Sequence, residues 1–175
     1  MTLVISTIFL SVALGLLILG LSGLISVAGG AQFVSTPPGL FHVILALAQL
    51  SPGEHFTELG SGRGMLCAYV CKHGSSLAEG VDISLPLVLF ARLRHRGIPG
   101  LTFRCANLYT TNLKKTSTVY CYLLPHIMKR LEKKFEQELR HGARVIAYCF
   151  PLPNRKPSET FQRTTQYGPF YVYEY

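Results

Sequence analysis

Hydrophobic and polar positions divide the chain into one long apolar segment and a region where strand-like and helix-like patterns alternate. Residues 3–27 are almost entirely apolar or small. About 20 such residues cross a bilayer as an α-helix, which satisfies its own backbone hydrogen bonds there. We therefore predict a transmembrane helix over residues 1–28 and one domain over residues 29–175. A signal peptide cleaved near Ala28 and a helix buried in the domain are the two alternatives.

The remainder of the chain alternates between two periodicities. Helical spacing of apolar residues occurs at 40–50, 65–73, 84–96 and 127–139. Strand-like runs occur at 55–59, 77–81, 101–105, 118–123 and 144–150. This alternation predicts an α/β fold with a doubly wound, mostly parallel sheet. The segments 161–166 and 170–175, on either side of Gly168-Pro169, predict a C-terminal antiparallel hairpin.

Charge is distributed as unevenly as hydrophobicity. The chain has 17 Lys and Arg against 9 Asp and Glu, a net charge of +8, and every charged residue lies at or after Glu54. A hydrophobic content of 49% excludes a disordered chain. A positive domain after the apolar segment favours a single-pass membrane protein with its domain on the cytoplasmic or matrix-equivalent side. The basic residues then suit an anionic lipid bilayer as partner, and RNA is the less favoured alternative.

Cysteine and histidine spacing gives no sign of a metal site. The five cysteines are odd in number and form no C-x-x-C pair, and the six histidines are scattered. Closed zinc sites draw their ligands from paired cysteines or histidines. We expect reduced thiols within the core and no bound metal.

One glycine-rich segment has the character of a ligand-binding turn. Glu58-Leu-Gly60-Ser61-Gly62-Arg-Gly64 follows a predicted strand and opens a predicted helix. Glycines at that point let the backbone approach a ligand closely at the helix N-terminus. A nicotinamide fingerprint would need glycine at position 65, which is Met65. Asp82 ends the next predicted strand, where a carboxylate accepts hydrogen bonds from two hydroxyls well.

This E-x-G-x-G-x-G spacing resembles the first motif of class I S-adenosylmethionine-dependent methyltransferases, which have a Rossmann-like sheet. The resemblance implies S-adenosyl-L-methionine as cofactor, with Glu58 near its cationic methionine end and Asp82 at its ribose. It also implies that Gly60, Ser61, Gly62 and Gly64 pack against the cofactor, and that Asn107, after the third strand, meets the adenine. The Asp/Asn-Pro-Pro-aromatic motif of enzymes that methylate base amines is absent at 122–125. Nucleic acid is therefore not expected as a partner.

Further segments make the resemblance narrower. Residues 33–38, 119–128, 131–139 and 142–153 together resemble small, membrane-anchored protein-lysine methyltransferases. These are related to the mitochondrial enzyme that modifies the rotor ring of ATP synthase, and to archaeal enzymes. The resemblance implies methyl transfer to an accessible lysine of a membrane protein, with Thr36, Tyr122 and Pro125 lining the lysine channel.

Departures from the family pattern leave the substrate open. The family commonly has Pro at the position of Ser35, Asp at that of Glu58 and an acidic residue near Asn107. Two alternatives therefore remain beside lysine methylation. One is methylation of a small molecule, lipid or quinone, and the other is a degenerate fold that serves as a membrane-tethered interaction module.

Overall fold

The computed structural model describes residues 2–28, 35–74, 76–162 and 166–175. Its first helix, α1, is Thr2–Ala28, and the side chains described in it are those at 4–17 and 20. Within this described part of the chain, no helix is long and apolar enough to cross a membrane. The structure thus does not support the transmembrane helix predicted over 1–28. The physical reason is that the run of described apolar side chains is shorter than the about 20 residues that a crossing needs.

The domain alternates strands and helices as its periodicity predicts. The helices after α1 are α2 (Phe41–Ala48), α3 (Met65–Gly74), α4 (Leu85–Arg94) and α5 (Pro125–Glu138), and a 3-10 turn, Pro38–Leu40, precedes α2. The strands are β1 (His55–Leu59), β2 (Leu77–Asp82), β3 (Leu101–Cys105), β4 (Thr118–Cys121), β5 (Arg144–Tyr148), β6 (Glu159–Phe161) and β7 (Phe170–Glu174).

These strands form one seven-stranded sheet in the order β3-β2-β1-β4-β5-β7-β6. The first five strands along the chain pair in parallel, and β7 pairs antiparallel with both β5 and β6. The predicted doubly wound, mostly parallel sheet is therefore confirmed. Because the chain crosses from the β1–β2–β3 half to β4 at the centre, the carboxyl ends of β1 and β4 flank the switch point, where α/β sheets bind ligands.

The core lies on both faces of the sheet. Helices α2, α3 and α4 cover one face, where Phe56, Tyr120 and Ile146 point. Helix α5 covers the other face, where Val119 and Val145 point. Neighbouring residues of β4 and β5 point to opposite faces, and both sets are buried, so these central strands are apolar throughout.

The C-terminal hairpin is confirmed only in part. Its first strand is 159–161 rather than 161–166, and residues 163–165 lie outside the described part of the chain. Ser158 explains the earlier start. Its backbone N–H and its hydroxyl both donate to the Val172 carbonyl, at 2.8 and 3.0 Å, and so align the first strand with β7.

Candidate functional site

A cavity of about 290 Å³ opens at the carboxyl ends of β1, β2 and β4. It is lined by most of the residues singled out from the sequence, which are Thr36, Glu58, Gly60, Ser61, Gly62, Asp82 and Tyr122. The parallel register brings these ends together, since Glu58 lies beside Gly80 on one side and beside Tyr120 on the other. The cavity is therefore the product of the switch point and of the turn that follows β1.

The turn after β1 has the backbone that its glycines suggest. Gly60, Gly62 and Gly64 have φ values of +81°, +51° and +71°, which residues with a Cβ rarely adopt. The backbone N–H groups of Gly60 and Ser61 donate to the Val81 carbonyl at 2.8 and 3.0 Å. These bonds tie the turn to the end of β2.

Packing adds a second reason for glycine at position 64. A Cβ there would lie 2.2 Å from Cε1 of Phe103, well inside contact distance. The ring of Phe103 thus fills the space that a side chain would need. Gly64 itself is absent from the cavity lining, and its role in the structure is to let α3 start close to β3.

Asp82 is held by the backbone through both of its carboxylate oxygens. Gly62 N–H donates to Oδ2 and Ser84 N–H donates to Oδ1, each at 2.8 Å. A carboxylate oxygen accepts more than one hydrogen bond, so each oxygen keeps capacity for a ligand hydroxyl. A fixed, bidentate acceptor is what a ribose diol requires, and Asp82 fits this role.

Glu58 is a buried carboxyl at the floor of the cavity. Its side chain accepts a hydrogen bond from the Cys67 thiol at 3.1 Å. Burial raises the pKa of Glu58 from the usual 4.5 to about 8, the bond from Cys67 opposes that rise, and the nearby Asp82 charge adds to it. A cationic ligand group beside Glu58 would stabilise the ionised form, because an opposite charge lowers the pKa of a buried acid. Glu58 therefore suits the cationic end of S-adenosylmethionine.

Ser61 supplies a further indication that the cavity accepts a polar ligand. Its hydroxyl is buried and has no hydrogen-bond partner among the described residues. Buried polar atoms are nearly always paired in native proteins. A ligand hydroxyl, amine or carboxylate in the cavity would provide the missing partner. Together with Asp82 and Glu58, this orphaned group shows that the residues present fit S-adenosylmethionine.

The opposite wall of the cavity carries hydroxyl groups and aromatic rings. Thr36 Oγ1 lies 2.7 Å from the Tyr120 hydroxyl, and Tyr122 lines the same wall. Thr36, which is also a plausible N-cap in the sequence, does not cap the turn that follows, since Pro37 holds the cap position. Its hydroxyl is directed to the cavity wall instead.

Two predicted site residues lie outside the cavity lining. Asn107 is exposed, and its side-chain oxygen accepts the Tyr109 N–H at 2.9 Å, so it closes a local turn. Pro125 is exposed and begins α5. Their roles at the adenine and in the lysine channel stay predictions.

Sequence reasoning missed several residues of the lining. They are apolar or aromatic, and include Phe41, Met65, Leu66, Ile83, Leu87, Tyr120 and Leu123. Ile83 had a signal, because it follows Asp82 directly. Tyr120 had none, because it stands in a continuous apolar strand where the pattern does not tell which side chain reaches a cavity. Burial raises the pKa of Tyr120 well above its usual value, although the bond to Thr36 opposes this.

Comparison with protein families gives a match over the part of the chain that builds the cavity. Residues 58–159 match the model described as the ANTKMT methyltransferase domain. The lysine N-methyltransferase of Mus musculus that is named for the C subunit of ATP synthase is 36% identical over 106 residues, which are 59% of this chain and 42% of that protein. The adenine nucleotide translocase lysine N-methyltransferase of Mus musculus is 34% identical over 119 residues, 65% of this chain and 51% of that protein.

A shorter relative is matched over most of its length. The protein-lysine N-methyltransferase of Saccharolobus islandicus is 25% identical over 134 residues, covering 74% of this chain and 83% of that protein. By contrast, the chain spans only about half the length of the mouse relatives it matches.

Among solved structures, the fold recurs in an RNA methyltransferase from Salinibacter ruber in complex with S-adenosyl-L-homocysteine. The two share a TM-score of 0.74 at 24% identity, covering 81% of this chain and 93% of that one. At this level of identity, the likeness shows the α/β fold of a class I methyltransferase.

Proposed function

Because this chain belongs to the family of the ANTKMT methyltransferase domain, we propose that it transfers a methyl group from S-adenosylmethionine to lysine side chains of a protein. The observation that carries the proposal is the anchored Asp82 carboxylate beside the 60–64 turn, inside the matched range. The names of the mouse and archaeal relatives support lysine as the acceptor.

The cofactor would be held by the two carboxyls and by the turn between them. Asp82 would accept hydrogen bonds from the ribose hydroxyls, and Glu58 would balance the positive charge of the methionine end. When bound, S-adenosylmethionine supplies a methyl group activated by its sulfonium. The part of the chain is to fix that end against the opposite wall of the cavity.

The acceptor amine would enter along the wall formed by Thr36, Tyr120 and Tyr122. Apolar and aromatic surroundings favour a neutral amine over an ammonium ion, and only the neutral amine has the lone pair that methyl transfer needs. Orientation and exclusion of water are the contributions that such a wall makes to catalysis. The residues on this wall therefore position the acceptor.

We further propose that the acceptor lysine belongs to a membrane protein. The mouse relatives are named for the C subunit of ATP synthase and for the adenine nucleotide translocase, and these two proteins are the first acceptors to test. Methylation of a small molecule, lipid or quinone is the second candidate, since those substrates would use the same cofactor site.

Cofactor binding and acceptor class are tested separately. Isothermal titration of the full chain with S-adenosylmethionine should give binding, and Asp82→Asn should weaken it by at least about tenfold, because the Gly62 N–H loses its charged acceptor. Absence of binding in the wild type would sink the proposal. Glu159→Gln, which removes a carboxylate from the distant strand β6, is the matched control and should bind as the wild type does.

The acceptor is identified by where the methyl group goes. Membranes are incubated with the chain and methyl-labelled cofactor, and protein, lipid and RNA are then separated. Label in protein lysines supports the proposal, whereas label confined to the lipid phase or to RNA contradicts it. Full function of the Asp82→Ala variant in cells would favour the non-enzymatic interaction module.

The location of the domain in the cell stays a prediction. A cytoplasmic or matrix-equivalent position at an anionic bilayer is expected from the net charge of +8. Protease protection of the domain in sealed membranes, compared with the same membranes after detergent, tests the predicted side.

A further inference from the structure

The aromatic side of the cavity continues behind its wall into a buried cluster. Tyr122, which lines the cavity, meets Tyr148 with ring centroids 4.7 Å apart in an edge-to-face arrangement. Tyr148, at the end of β5, stacks in turn on Phe170 of β7, again with 4.7 Å between centroids. These rings connect the cavity wall to the antiparallel edge of the sheet.

Cys149 joins this cluster through an unusual backbone conformation. Its φ is +65°, a value that is uncommon for residues with a Cβ. Its N–H donates to the Pro169 carbonyl at 2.9 Å, which holds the backbone in this state. The thiol is thereby directed toward the hydroxyls of Tyr122 and Tyr148, and it forms side-chain hydrogen bonds with both.

The chain also leaves room for that thiol. A Cβ on Gly168 would lie 2.4 Å from the Cys149 sulfur, so any other residue at 168 would displace it. Burial raises the pKa of Cys149, and the bonds from the two tyrosines oppose the rise. At neutral pH the group is a thiol, which accepts hydrogen bonds only weakly but can accept from both tyrosines.

We propose that Tyr148 and Cys149 are positioning residues that hold the Tyr122 ring as one wall of the acceptor channel. The inference rests on the proposed lysine methylation and assigns the channel's specificity to this cluster. An aromatic wall attracts the alkyl stem of lysine and its methylated, cationic product. If the thiol is removed, the Tyr122 hydroxyl loses its partner and the ring is free to leave the wall.

The test separates acceptor binding from cofactor binding. Cys149→Ala and Cys149→Ser are compared with the wild type, with the purified C subunit of ATP synthase as the methyl acceptor. Cys149→Ala should raise KM for this acceptor about tenfold, since two hydrogen bonds are lost, and leave kcat and the Kd for S-adenosylhomocysteine unchanged. Cys149→Ser keeps an acceptor in place and should restore KM.

Cys71→Ala is the matched control. Cys71 is also a half-buried thiol, but it lies on α3 and donates to the Ser76 carbonyl at 3.4 Å. This variant should leave every kinetic constant unchanged. The proposal is overturned if Cys149→Ala leaves KM unaltered, or if it lowers kcat and cofactor affinity together while Cys149→Ser gives no rescue.

A second readout remains decisive if the wild type methylates no acceptor. Ring-proton signals of Tyr122 are followed by NMR as n-butyltrimethylammonium is added to the full chain saturated with S-adenosylhomocysteine. A saturable shift that Cys149→Ala abolishes supports the channel wall, even if lysine methylation itself is refuted. No shift in the wild type overturns the inference, whatever the enzyme assay shows.

Discussion

The buried carboxyl of Glu58 makes the stability of the domain depend on pH in a predictable direction. Burial raises the pKa of Glu58 from 4.5 to about 8 in the folded chain. Between these values the folded state holds a proton that the unfolded state releases. The stability that this proton contributes is therefore complete below about pH 4.5 and is lost as the pH rises to about 8.

Substitution of Glu58 by Gln isolates this contribution, because glutamine stays neutral at every pH. A rise in pKa from 4.5 to about 8 corresponds to a free energy on the order of 5 kcal/mol. Glu58→Gln should match the wild type near pH 4.5 and become progressively more stable than it at higher pH. The difference should approach that value near about pH 9.

Urea unfolding at a series of pH values measures the difference directly. Glu136→Gln, which removes an exposed carboxyl from α5, is the matched control and should show no such trend. A constant difference between Glu58→Gln and the wild type across the series would refute the reasoning. So would a Glu58→Gln variant that is less stable at alkaline pH.

Three other predictions follow from the same contacts. Gly64→Ala should destabilise the domain by about 2–4 kcal/mol, because its Cβ would meet Phe103 at a positive φ, whereas Gly142→Ala, with open space around it, should cost about 1–2 kcal/mol in thermal unfolding. Glu132→Ala should cost about 3 kcal/mol or more by urea unfolding, since its buried carboxylate accepts three hydrogen bonds from the loop after β5. Binding of S-adenosylmethionine should release a proton from Glu58 below about pH 8, which calorimetry in buffers of different ionisation enthalpy detects, and affinity that does not change with pH would contradict it.

The fold was predictable because its signals are local. Each strand and helix of the parallel part is short, periodic and bounded by glycine, proline or a polar residue, so the alternation emerges directly from the pattern. Asp82 was predictable for the same reason, because it ends the strand that follows the glycine turn. Its position in the cavity then follows from the parallel register of β1 and β2.

What the sequence did not reveal depends on partners far along the chain. Thr36 meets Tyr120 across 84 positions, and no local pattern distinguishes that contact from an N-cap. The hairpin register depends on the bonds of Ser158 to Val172, which periodicity does not encode. The length of the apolar segment 3–27 was a correct reason to expect a helix, but length alone could not establish a membrane span.

The central claim is tested most directly by mass spectrometry of lysines in the purified C subunit of ATP synthase after incubation with the chain and S-adenosylmethionine. The account predicts methylated lysine with the wild type and little or none with Asp82→Asn, whose cofactor site is impaired. A chain that binds the cofactor but leaves every lysine of that protein, of the adenine nucleotide translocase and of total membrane protein unmodified would contradict it.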